Sequence, residues 1–325
     1  MKAFVTGGCG FIGFWLCEKL GAQGWDVRAV DANPPVDMVV SLPNAKFITG
    51  DITNPHEWRD EMTGADLVIH LAAKHRFFGI SENEFYRTNV EGTKSLLEAM
   101  AVAGIRDLIF FSSVSVYGEQ TSPTTEETVP EPNSPYGKTK LQAEALVREW
   151  TDAEEGRKAL IIRPTVVFGP GNRGNIYRMI RQVDSGFYFP VGPGGNIKSV
   201  AYVENLVEAT IFLIQKGFRG VELYNYSDNP HMSFKEIEKI ILDWLGKPSR
   251  CIALPYGPIL FLLRPIERMA ERLGVSFPAA SAVEKMNKTT HHTADKIRKA
   301  GFRQVVSLDE GFRRTIDWYR SNGRR

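Results

Sequence analysis

Short apolar runs alternate with amphipathic stretches through the first half of the chain. Lys2 to Thr6 reads as a buried strand, and after a glycine-rich turn Phe14, Leu16, Cys17 and Leu20 follow at helical spacing. Val27 to Val30 and Lys46 to Thr49 are the next strands, Asn54-Pro55 starts a helix, and Leu67 to Leu71 is a fourth strand closed by Ala72-Ala73. Ser81 to Ala103 reads as one long helix with Asn89 near its middle and Gly104 at its end. Leu108 to Ser112 is a fifth strand. Glu119 to Asn133 holds three prolines among Ser, Thr and Glu and reads as an exposed loop. Pro135 then opens a helix that runs through Leu141, Ala143, Leu146 and Val147. Strands alternating with helices at this spacing predict an α/β fold whose sheet is parallel, with ligands over the strand C-termini.

The chemistry gathers at those strand ends. Gly7, Gly10 and Gly13, with Phe11 and Ile12 between them, sit between the first strand and the first helix. Gly7 permits the tight turn, Gly10 lets the backbone approach a pyrophosphate, and Gly13 lets helix and strand pack closely, with the phosphates at the helix N-terminus. The second strand ends in Asp31, a carboxylate placed to accept ribose hydroxyls and to repel a 2′-phosphate, which favours NAD over NADP. The unit is thus Rossmann-type and doubly wound. Asp51-Ile52 ends the third strand where a side chain can meet an adenine. Tyr136 and Lys140 lie four apart, on one face of their helix, and an ammonium beside a phenol is expected to bring its pKa down toward neutrality. Ser113, at the end of the fifth strand, can reach the same substrate oxygen.

Composition narrows the setting. The 325 residues suit two lobes, and charged content of 24% with 43% hydrophobic is that of an ordinary globular protein. The net charge of +2 is uneven: from Phe261 onward 14 Lys and Arg stand against 7 Asp and Glu, a surplus that reads as a solvated basic tail or, less commonly, a surface for anionic partners. Cys9, Cys17 and Cys251 form no Cys-x-x-Cys pair and predict a reducing compartment. Met1-Lys2-Ala3-Phe4-Val5 runs into a strand, so no signal peptide is expected. No apolar run reaches the roughly 20 residues of a spanning helix. These signs predict a cytoplasmic protein, with no nucleic acid partner. His291 and His292 lack Cys, Asp or Glu at ligand spacing, so no metal is expected.

Taken together these residues resemble the extended short-chain dehydrogenase/reductase family, the NAD-dependent sugar epimerases and dehydratases. The matching parts are Gly7/Gly10/Gly13, Asp31, Asp51-Ile52, Leu71-Ala72-Ala73, Asn89, Ser112 to Gly118, Tyr136/Lys140 and Arg163-Pro164. The resemblance implies bound NAD, with Phe11, Ile12, Ser112, Arg163 and Pro164 also at the cofactor. It implies Ser113 orienting a sugar hydroxyl, Tyr136 as acid/base, and Lys140 on the nicotinamide ribose. The dehydratases carry Thr-Asp-Glu where Ser113-Val114-Ser115 stands, and neither Val114 nor Ser115 can do the carboxyl groups' work, so dehydration is not expected.

The second half is similar to epimerases acting on polyprenyl-diphosphate-linked N-acetylglucosamine. The likeness runs through Leu160 to Gly169, Gly171 to Tyr177, Lys198 to Asn205, Tyr224 to Tyr226, Leu254-Pro255-Tyr256 and Thr289-Thr290, with His75-Arg76 earlier. It implies substrate contacts from Ser113, His75, Asn172, Arg173, Asn175, Lys198 and Tyr202. Arg178 and Arg181 join Arg173 and Lys198 as candidates for a diphosphate. Lys198-Ser199 replaces the Arg-Asp of many nucleotide-sugar epimerases, so a point charge replaces a bidentate fork.

Asn205 to Leu213 reads as a helix returning to the sheet. The expected organisation is therefore a dinucleotide-binding domain, residues 1–167 with 200–225, and a smaller, interleaved C-terminal substrate-binding lobe, residues 168–199 and 226–325. Ile252 to Leu273 is the most unusual stretch: Pro265 is expected to interrupt or start a helix, and Arg264, Arg268 and Arg272 recur beside Ile266, Met269 and Leu273. Such a segment either lies on an anionic membrane or packs within its lobe or a homodimer. The activity expected is 4-epimerisation of a diphosphate-linked sugar. A UDP-sugar epimerase and an NAD-linked dehydrogenase of a sugar or sterol-like alcohol are the alternatives.

Overall fold

A computed structural model describes residues 1–33, 42–75, 80–186, 188–248, 253–275 and 277–323. Arg76, Cys251 and Ile252 lie outside the described residues. In chain order the first half holds β1 (Lys2–Thr6), α1 (Phe11–Ala22), β2 (Asp26–Asp31), β3 (Ala45–Thr49), α2 (Arg59–Met62) and β4 (Leu67–His70). There follow α3 (Glu82–Tyr86), α4 (Gly92–Val102), β5 (Asp107–Phe111), α5 (Pro135–Asp152) and β6 (Lys158–Pro164). The remainder is β7 (Val166–Phe168), α6 (Asn175–Ser185), β8 (Ile197–Lys198), β9 (Val200–Tyr202), α7 (Val203–Lys216), β10 (Val221–Tyr226), β11 (Met232–Ser233), α8 (Phe234–Leu245), α9 (Tyr256–Arg272), α10 (Ala279–Asn287), α11 (Asp295–Lys299) and α12 (Leu308–Trp318).

Seven strands form one parallel sheet in the order β10-β6-β5-β4-β1-β2-β3, so the chain reverses direction across the sheet between β1 and β4. That crevice is where a doubly wound fold receives its ligand. Alternate residues of each strand feed opposite layers: Ala3 and Val5 pack with Leu16, Leu20 and helix α7, whereas Phe4 packs with Leu96, Val147 and Trp150 of α4 and α5. The third core joins α6, α8 and α12 around Phe168, Ile241 and Phe312.

The expected long helix from Ser81 is divided. Ser81 and Glu84 form a reciprocal capping box ahead of α3, and a π-helical turn over Arg87–Glu91 separates α3 from α4. Asn89 occupies that turn, where the extra residue re-aims side chains. Pro265 does not interrupt its helix: α9 runs through it from Tyr256 to Arg272. The Ser307 hydroxyl caps α12 by accepting from the Glu310 backbone N–H. Glu310 itself turns to Arg313 and Arg314 and leaves the box half-formed.

Candidate active site

The glycine turn follows directly from backbone demands. Gly7 has φ +72°, and a Cβ there would lie 2.6 Å from the Ala72 nitrogen. A Cβ on Gly13 would lie 2.1 Å from the Gly7 carbonyl oxygen. These contacts hold the turn against the end of β4 and leave a cradle that a side chain would fill. Gly10, the residue ahead of α1, supplies no side-chain cap to the first-turn N–H groups. An exposed helix N-terminus of this kind receives an anion such as a pyrophosphate. Asp31 reaches across the turn, accepting from the Cys9 N–H at 3.1 Å and the Asn33 N–H at 2.9 Å. The cradle, the open helix end and the carboxylate beside it fit a dinucleotide.

Asp51 accepts from the backbone N–H and hydroxyl of Thr53, and Ile52 is buried behind it. Beyond β4, Leu71, Ala72 and Ala73 are half-buried, and the Thr6 hydroxyl accepts from the Ala72 N–H. Asn89 is fully engaged: its carbonyl accepts from the Lys74 N–H at 2.8 Å, and its amide donates to the Lys74 carbonyl and the Thr139 hydroxyl. It ties the segment after β4 to α5. Phe11 and Ile12 pack against the sheet core.

Ser134 caps α5 by accepting from the Gly137 N–H, with Pro135 in the first turn. The helix brings the Tyr136 phenol close enough to Ser113 for that hydroxyl to lower the phenol's pKa. The Ser113 oxygen also donates to Ser115 at 3.1 Å and accepts from its backbone N–H. Lys140, fully buried one turn on, donates to the Phe111 carbonyl at 2.6 Å and lies over the Phe110 ring. Ser113, Tyr136 and Lys140 are therefore assembled at the C-terminal end of β5.

The expected phenol acidity differs in the protein alone. Burial pushes Tyr136 up to about 12, and only the Ser113 hydroxyl pulls it back. Burial pushes Lys140 down to about 7, with the Glu144 carboxylate holding it up. Dehydrating the two groups outweighs their sharing a helix face.

Glu144 is the residue that motif reading missed. It is buried one turn after Lys140, accepts from the Ser112 hydroxyl at 2.5 Å, and is gripped by Arg163 through Nε at 2.8 Å and Nη2 at 2.5 Å. Its i+4 spacing from Lys140 was the available signal. Ser112 and Arg163, expected at the cofactor, spend their side chains on this carboxylate, and Pro164 ends the same strand, buried. Arg163 also lies over the Tyr117 ring, and the Tyr117 hydroxyl donates to Asn225 on β10. His70 is buried between Thr6 and Thr93, and burial lowers it to about 3.

The expected substrate residues lie on several elements. Lys198 donates to the Lys285 and Lys288 carbonyls at 2.9 and 2.5 Å, closing the C-terminal end of α10, and burial lowers it to about 8. Asn172 accepts from the Gly174 N–H and donates to the Val167 carbonyl, shaping its own turn. Tyr202 is wholly buried against Phe168 and under Gly311. Arg173, Asn175, Arg178 and Arg181 are exposed at and along α6, and His75 is exposed beyond β4. His292 stacks on Tyr117 and shares a hydrogen bond with Thr124.

A parallel sheet with a glycine cradle at its switch point defines a dinucleotide-binding α/β protein. Residues 3–226 match the NAD dependent epimerase/dehydratase family, and the chain belongs to that family. It is 35% identical over 324 residues to the N-acetyl-alpha-D-glucosaminyl-diphospho-ditrans,octacis-undecaprenol 4-epimerase of Escherichia coli O157:H7, covering 98% of this chain and 95% of that protein. It is 28% identical over 330 residues to the sterol-4-alpha-carboxylate 3-dehydrogenase, decarboxylating, of Mus musculus, covering 97% and 90%. Among solved structures, MoeE5 in complex with UDP-glucuronic acid and NAD superposes with a TM-score of 0.78 at 27% identity, covering 99% of each chain.

Proposed function

We propose that the chain is an NAD-dependent 4-epimerase of a diphosphate-linked sugar, with N-acetylglucosamine on a polyprenyl diphosphate as the substrate. The observation that carries this is the placing of Ser113 against the Tyr136 phenol, with Lys140 one turn on at the end of β5 and no carboxyl group at Val114 or Ser115. Likeness along nearly the whole chain to a lipid-linked N-acetylglucosamine 4-epimerase supports the sugar and its carrier.

Gly7, Gly10, Gly13 and the N-terminus of α1 hold the pyrophosphate, Asp31 the adenosine ribose, and Lys140 the nicotinamide ribose. When bound, oxidised NAD supplies a hydride acceptor and a positive charge near the phenol. That charge favours the phenolate, countering the burial that holds the phenol up at about 12. Tyr136 takes the proton of the C4 hydroxyl while Ser113 holds its oxygen. The resulting 4-keto sugar turns over, and Tyr136 returns the proton once C4 has been reduced from its other face. Val114 and Ser115 offer no acid to expel a neighbouring hydroxyl, so the sugar leaves inverted and otherwise intact.

In this reading the enzyme works in the cytoplasm as a peripheral protein at the inner face of a membrane, as a homodimer, in polysaccharide biosynthesis of the O-antigen kind. The test is Tyr136→Phe. The variant is expected to retain NAD and lose C4 inversion, and full activity would sink the mechanism. The sterol dehydrogenase relative favours the second reading, NAD-linked oxidation of an alcohol, which net NADH formation identifies.

A further inference from the structure

Helix α9 carries its apolar stripe on the wrong side for a core. Leu262, Ile266, Met269 and Leu273 recur at intervals of four, three and four, the spacing of a helix face that ordinarily packs inward. Here Leu262 is 61% exposed, Met269 60% and Leu273 72%, and Phe261 at the edge of the stripe is 80% exposed. The inward side is defined separately. Leu260 and Glu267 are buried, Glu267 accepts from the backbone and hydroxyl of Ser281, and Arg264 pairs with Glu284 at 2.7 Å. Those bonds fasten α9 to α10, so the exposed stripe is the face left over after packing, not a helix adrift. A patch of this kind on an otherwise polar surface marks a docking face.

Charge selects the occupant. Arg268 and Arg272 stand one turn apart beside Met269 and Leu273, and among the described residues neither makes an ion pair or a hydrogen bond. A protein partner would need matched carboxylates at two defined points. An anionic lipid surface answers both features anywhere along it: acyl chains take the apolar stripe, and phosphates take the arginines. No helix among the described residues is long and apolar enough to cross a membrane, so a docked α9 would lie along the surface rather than span it.

We propose that α9 is a membrane-docking helix, its Phe261-to-Leu273 face set at the headgroup boundary of an anionic bilayer with Arg268 and Arg272 on the lipid phosphates. The lipid-linked substrate reading gives this docking its purpose, and to that extent the proposal rests on it. Docking would hold the enzyme at the surface where a polyprenyl diphosphate presents its headgroup. The link into the second lobe is physical. The far end of α10 is closed by Lys198 and by Asn196, which donates to the Met286 and Lys288 carbonyls, so the docked hairpin is bonded to the strand β8.

The test is co-sedimentation of the full chain with phosphatidylglycerol vesicles and with phosphatidylcholine vesicles. Binding to the first is expected, with little to the second, and it should weaken as salt rises. The variant Phe261→Ser/Leu262→Ser/Met269→Ser and, separately, Arg268→Glu/Arg272→Glu should each lower the partition coefficient at least about tenfold. Both should leave C4 inversion of the substrate in detergent solution unchanged. Binding unaltered by both variants, or no binding to anionic vesicles, overturns the proposal. A wild-type dimer that the serine variant converts to monomer, without vesicle binding, assigns the face to a second copy and also overturns it. Loss of the detergent-phase reaction in the wild type would instead refute the functional reading while leaving the vesicle result to stand alone.

Discussion

Replacing Arg163 by Met should destabilise the protein far more than an ordinary charge removal. Arg163 and Glu144 are 3% and 2% exposed, and two of the three hydrogen bonds to the carboxylate come from the guanidinium. Arg163→Met leaves Glu144 buried with only the Ser112 hydroxyl and the nearby Lys140. Breaking one side of a buried pair costs about 3–5 kcal/mol, and Lys140 puts this case near the lower end, at about 3 kcal/mol. With an unfolding entropy of about 2.1 cal/mol/K per residue over a chain of this length, that is a fall in Tm of about 4 °C. Glu144→Gln in the same background removes the stranded charge, so the double variant should recover most of the loss. The assay is calorimetric melting of the wild type, both single variants and the double. A single variant melting within about 1 °C of the wild type, or losses that simply add, would refute the reasoning.

Three further outcomes follow from the same structure. His70 is held neutral in the fold, lowered from 6.5 to about 3, so the unfolded chain binds the extra proton first and stability should fall as pH drops from 6.5 toward 3. His70→Asn should flatten that part of a pH-dependent urea titration, and an unchanged slope would count against it. Gly13→Ala forces a Cβ into the Gly7 carbonyl and should abolish retention of nicotinamide cofactor on purification while circular dichroism stays that of the wild type. Full cofactor occupancy in that variant would contradict the cradle. Lys198→Met removes two bonds that close α10, so it should lower Tm while changing KM for the sugar less than twofold, by about 0.4 kcal/mol or less. A tenfold rise in KM with unchanged melting would return Lys198 to the substrate.

Local patterns carried most of the fold. The glycine turn, Asp31, the Ser134-Pro135 helix start and the alternation of strands with helices all depend on neighbours within a few residues, so spacing alone exposes them. The π-helical turn at Asn89 is one residue of slippage inside an otherwise regular helix, which periodicity does not resolve. The partners that local patterns do not reveal share one cause. Lys198 meets carbonyls 87 and 90 positions away, Arg163 meets Glu144 across two elements, and Tyr202 is enclosed by Phe312 and Gly311 of α12. A motif gives a residue's type and element, but its partner is set by long-range packing. The acidity of Tyr136 is the same lesson in electrostatics, because proximity on a helix face is legible and dehydration is not.

The central claim is inversion at C4 without net oxidation, on a lipid-linked sugar. Purified protein offered N-acetylglucosamine on a polyprenyl diphosphate and, in parallel, on UDP tests it directly, with the C4 configuration and NADH followed together. The account predicts the galacto-configured sugar from the lipid-linked substrate while NADH stays at its starting level. NADH rising in step with product, or reaction of the UDP sugar alone, would contradict it.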